Sequence, residues 1–116
     1  MTGRLILFSG KTGHVLQFGN VPDDRETYCS PVVYSTSNGT DIVLFGTGGE
    51  THPGALWAIG LMDLYHGLTE KVIMIYADNY KGRKIIITIV QCGAWRAQTV
   101  LMKYEHGVFV NINIFD

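Results

Sequence analysis

Two stretches of this chain repeat one pattern, and that pattern limits what it can fold into. Arg4-Leu5-Ile6-Leu7-Phe8 leads into Ser9-Gly10-Lys11-Thr12-Gly13 and then into His14-Val15-Leu16-Gln17-Phe18. Further on, Asp41-Ile42-Val43-Leu44-Phe45 leads into Gly46-Thr47-Gly48-Gly49 and, after a longer loop, into Ala55-Leu56-Trp57-Ala58-Ile59. Short runs of β-formers broken by glycine predict strand, turn and strand rather than helices. Fourteen glycines against three prolines fit many tight turns.

Strand–turn–strand units at short intervals are the pattern of an all-β repeat such as a propeller blade. At 116 residues the chain has the length of one small domain. A closed propeller needs roughly four blades of four strands at the least, so the expectation is a partial β-propeller, a fragment with about two to three blades' worth of sequence. Hydrophobic content of 47% with 16% charge excludes a disordered chain. A net charge of −1 provides no electrostatic footprint for nucleic acid or an anionic membrane surface. No apolar run approaches the ~18 residues of a membrane span. The first residues, Met1-Thr2-Gly3-Arg4, run into a strand pattern without a secretory signal.

Residues 4–8 and 14–18 read as antiparallel partners, with the intervening glycines supplying positive-φ positions. Residues 19–30 read as a loop, and Pro31-Val32-Val33-Tyr34 as a strand that opens on proline, where no ladder donor is lost. Asn38-Gly39 predicts a hairpin turn that returns into Asp41 to Phe45. Gly46 to Gly54 reads as a glycine-rich loop, Leu56 to Ile59 as a packed strand, Leu61 to Gly67 as one helical turn closed by glycine, and Lys71 to Tyr76 as a strand. Beyond these, Ile85 to Val90 is a strongly apolar strand of the kind buried on both faces. Thr99 to Tyr104 and Val108 to Phe115 read as a hairpin around Glu105-His106-Gly107.

Three runs carry a family resemblance. Ser9-Gly10-Lys11-Thr12-Gly13-His14-Val15-Leu16 is similar to the strand–turn–strand of quinoprotein-like blades. Val21-Pro22-Asp23-Asp24-Arg25-Glu26-Thr27-Tyr28-Cys29-Ser30-Pro31-Val32 and Phe45-Gly46-Thr47-Gly48-Gly49-Glu50-Thr51-His52-Pro53-Gly54-Ala55-Leu56-Trp57 resemble the integrin-alpha FG-GAP repeat-containing membrane proteins, also called family with sequence similarity 234. The resemblance spans residues 4–82 and implies a glycosylated lumenal or cell-surface β-propeller on a single-pass membrane protein, with no established enzymatic activity. On this reading the membrane is reached only through a segment outside this chain. Residues 1–82 form the blade segment, and residues 83–116 a divergent β-rich tail in which Arg83-Lys84 and the isoleucine run replace the expected next blade.

The candidate chemistry is thin. Gly10-Lys11-Thr12 lacks the preceding glycine and following helix of a phosphate loop, since Leu5 stands at the required position and a strand follows. Gly46-Thr47-Gly48-Gly49 departs from a dinucleotide fingerprint and reads as a turn. Glu50, His52 and Asp63 lack a second histidine at ligand spacing, so no metal is expected. Thr36 and Asn38 stand where a calcium turn needs acids. Cys29 and Cys92 form no motif; they read as unpaired thiols, with a disulfide open in an oxidising compartment. The expectation is therefore no catalytic residue and no cofactor. Asn38-Gly39-Thr40 is a glycosylation sequon on an exposed turn. Glu50, Thr51, His52 and Pro53, on a loop held by a rigid scaffold, are the candidates for surface recognition of an unknown protein or glycan partner. Two alternatives stay open: a quinoprotein-like enzyme blade, and an intracellular propeller scaffold with unmodified Asn38.

Overall fold

The computed structural model describes the whole chain except residues 1–2, 28–29, 37, 49–51, 78–84, 93–96, 105–108 and 116, and from Ile85 onward it describes the backbone alone. The architecture is antiparallel β-sheet with one short helix. Nine strands form three open sheets among the described residues, and no closed ring is formed by them.

The first sheet is a hairpin of β1 (Arg4–Phe8) and β2 (Val15–Asn20). Its turn is held by Ser9, whose Oγ accepts hydrogen bonds from the Lys11 and Thr12 amides at 3.3 Å each. A strand follows that turn, as the sequence implies. β2 runs two residues further than expected, because Gly19 and Asn20 still pair with Leu5 and Arg4. The loop then begins at Val21.

The second sheet is a meander of four strands in chain order: β3 (Val32–Ser35), β4 (Asp41–Thr47), β5 (Ala55–Gly60) and β6 (Ile73–Ala77). Asn38 and Gly39 lie in the five-residue connection between β3 and β4, and Ser35 pairs with Asp41 across it. β4 continues through Gly46 and Thr47, which the sequence assigned to the loop, because both find partners in Leu56 and Ala55 of β5. Lys71 belongs to a 3-10 turn (Thr69–Lys71), so β6 starts later than its hydrophobic pattern implies.

The strand period of two sends alternate residues of this meander to opposite faces. Val43, Phe45, Trp57 and Ile59 share one face through the pairs Val43–Ile59 and Phe45–Trp57, and all four are buried in the main core with Leu64 and Val21. Leu5 of β1 packs on the same cluster, which places the hairpin over that face. Tyr34, Leu44 and Leu56 occupy the opposite face and are also buried.

α1 (Leu61–Tyr65) follows β5 directly and ends in a glycine cap. Gly67 takes φ 74°, its amide donates to Leu64 O, and the Leu68 amide donates to Asp63 O at 2.8 Å. These two bonds satisfy carbonyls that the short helix leaves open. The helix contributes Leu64 to the core and receives a bond from Gln17 Nε2 to Tyr65 O.

The third sheet is β7 (Ile85–Cys92), β8 (Ala97–Tyr104) and β9 (Phe109–Phe115), antiparallel throughout. The backbone of β7 runs beside β3 and β4. The expected turn at Glu105-His106-Gly107 lies outside the described residues, as does the burial of the Ile85–Val90 side chains.

Candidate functional site

The two segments that carry the family resemblance are distant in sequence, and the fold lays one against the other. Residues 21–27 lie across the connection from β4 to β5, and a set of hydrogen bonds joins them. Asp23 Oδ2 accepts from the Thr47 hydroxyl at 2.7 Å, and the Thr47 oxygen accepts from Trp57 Nε1 at 2.9 Å. Arg25 Nη1 donates to Pro53 O at 2.6 Å, and the Thr27 hydroxyl donates to Gly46 O at 2.6 Å. The backbone joins in through Gly48 N to Glu26 O at 2.6 Å and Gly3 N to Arg25 O at 2.9 Å.

Local conformation makes this possible. Asp24 sits at φ 56°, a left-handed conformation that aspartate tolerates better than most residues, and it turns the segment back after Val21. Asp23 Oδ1 accepts from the Arg25 amide at 3.2 Å, which orients the carboxylate, and the Arg25 guanidinium lies 3.8 Å from its other oxygen. Gly48 adopts φ 69°, and a Cβ built there would meet Pro53 O at 2.2 Å. Only glycine fits that close approach.

Of the recognition candidates, Glu50 and Thr51 lie outside the described residues. Pro53 is half-buried and engaged through its carbonyl with Arg25. His52 is exposed, and its Nδ1 stands 3.1 Å from Glu26 Oε2. Glu26 is only 7% exposed. A buried carboxylate needs partners to offset its lost hydration, and a surface histidine of the other segment is one of them. The pair sets the orientation of the imidazole at the surface.

Asn38 is exposed at its turn. Its Oδ1 accepts from the Thr40 amide at 3.2 Å and contacts the Thr36 hydroxyl, so the sequon is folded as an Asx turn. Asp41 accepts from Ser35 Oγ at 2.6 Å. Among the described residues no group of three or more His, Cys, Asp or Glu is arranged to hold a metal ion, and no helix is long and apolar enough to cross a membrane. Trp57 is packed in the core; Cys29 and Trp95 lie outside the described residues, and Cys92 is described by its backbone alone.

A second feature is an apolar cleft of about 400 Å³ between β1, the β3–β4 face and α1, lined among others by Leu5, Leu7, Val33, Phe45 and Leu61. The sequence pointed to neither this cleft nor the Asp23–Thr47–Trp57 chain. The sole signal was that both joined segments stood out in the same resemblance. Comparison with protein-family models, curated proteins and solved structures found no match.

Proposed function

We propose that the chain is a non-catalytic interaction scaffold: part of the lumenal or cell-surface β-propeller of a membrane protein, similar to the FG-GAP-like family its motifs resemble, with a protein or glycan as partner. One observation carries this reading. The β3–β6 meander is a four-stranded antiparallel sheet in chain order whose central strands, β4 and β5, are buried on both faces. An antiparallel sheet ordinarily keeps one face in water. Burial of both faces is what a blade stacked between neighbours requires. The knot between residues 21–27 and 46–57 favours the same reading, since its carboxylates are engaged in holding two loops together. On this account His52 and Pro53 present a fixed surface beside the β4–β5 connection.

Asn38 tests the compartment. Mass spectrometry of the endogenous protein is expected to find a glycan at Asn38 that an amidase removes and that Asn38→Gln abolishes. An unmodified Asn38 in a chain with reduced cysteines would replace this reading with an intracellular scaffold.

A further inference from the structure

Four consecutive residues of β1, Arg4, Leu5, Ile6 and Leu7, line the apolar cleft. Successive side chains of a strand point to opposite faces. A cavity touched by all four therefore runs along the edge of the strand and not over one face. β1 is paired with β2 alone, so the edge turned to the cleft carries no ladder among the described residues. The floor of the cleft is the second sheet, through Val33, Val43 and Phe45. Val33 and Val43 are register partners, yet Val33 is 57% exposed and Val43 is 6% exposed. Val33 is therefore the exposed part of this floor, while Val43 and Phe45 are already covered; a third strand added to the first sheet would run about 4.8 Å from β1. Leu61 and Leu64 close one end. Arg4 also lines the cleft, and no ion pair among the described residues uses it.

We propose that β1 takes up an extended peptide by strand addition. The peptide's main chain pairs with the open edge of Arg4–Phe8, an inward side chain covers Val33, and an acidic residue lies beside Arg4. Main-chain pairing supplies affinity in such sites, and the pockets for alternate side chains supply selectivity. The open edge and the exposed Val33 are satisfied by one occupant, and the guanidinium calls for negative charge at that end. This names a partner class for the scaffold proposed above, and rests on that reading only in treating the chain as a holder of partners.

The test titrates the full chain with acetyl-Glu-Thr-Val-Thr-Val-Thr-amide and with the same peptide N-methylated at alternate residues, read by amide hydrogen exchange. Saturable binding is expected, with new protection confined to residues 4–8. N-methylation is expected to weaken binding about tenfold or more, because it leaves edge groups unpaired. Arg4→Gln is expected to weaken it about three- to fivefold, the effect of a solvent-exposed ion pair. Val33→Asp is expected to weaken it with the melting temperature unchanged. No binding at millimolar peptide, or equal binding of the N-methylated form, overturns the proposal. So does a dimer in sedimentation equilibrium whose residues 4–8 are protected without peptide, since a second copy would then hold the edge. A chain glycosylated at Asn38 that ignores the peptide would sink strand addition and leave the scaffold reading standing.

Discussion

Thr47 is 1% exposed and serves two partners at once, accepting from the Trp57 indole and donating to Asp23. Thr47→Val keeps the shape and removes both bonds, leaving the buried indole N–H without its partner and the Asp23 carboxylate with Arg25 alone. The expected loss is about 2–3 kcal/mol in urea unfolding. Trp57→Phe removes one bond and part of the packing, and the double variant is expected to lose less than the two singles summed, since either change already breaks their shared bond. Gly48→Ala is expected to cost about 2 kcal/mol or more, because the left-handed backbone and the Pro53 carbonyl both oppose a side chain there. That Trp57 is a core residue was readable from its place among strand residues. That its N–H reaches Asp23 through Thr47 was not, because hydrogen-bond partners of a buried indole depend on which loop arrives beside it.

At the scale of elements, the β3–β4 hairpin offers an internal control. Val43→Ala removes methyl groups from the packed core and is expected to cost about 2 kcal/mol. Val33→Ala, directly opposite in register, is expected to cost less than about 0.5 kcal/mol because its side chain borders the open cleft. Thermal unfolding of the two variants side by side measures the contrast; equal losses would mean that the cleft is closed in solution. Most element positions were legible: strand period, the Asn38-Gly39 turn and the Gly67 cap are signals a few residues long. The misplaced boundaries lie at Gly19, Gly46, Thr47 and Lys71. At Gly19 and Gly46 a residue with weak strand preference is kept in the ladder by a partner strand, and Thr47, itself a strand former, follows Gly46 into it; partner strands leave no local trace.

For the whole molecule, the outward face of the first hairpin is the exposed surface that matters most. Phe8 and Phe18 are 56% and 64% exposed, and Ile6 and Leu16 lie near them on the same hairpin. In a stacked-sheet scaffold this face meets another sheet; without one it is sticky. Phe8→Ser with Phe18→Ser is expected to shift the chain toward monomer in sedimentation velocity while changing stability little, since neither ring packs in the core. An unchanged distribution of species would show that this face takes no part in association.

The sequence alone determined where the chain is extended, where it turns and which strand faces are apolar, because side-chain alternation and left-handed turn positions act over a few residues. Tertiary structure alone decided which loops meet. The bonds Thr47–Asp23, His52–Glu26 and Arg25–Pro53 span 24, 26 and 28 residues, and the cleft beside β1 exists because a two-stranded sheet leaves part of a four-stranded one uncovered. Such distances are closed by the packing of whole sheets, whose energy is summed over many apolar contacts and written at no single position.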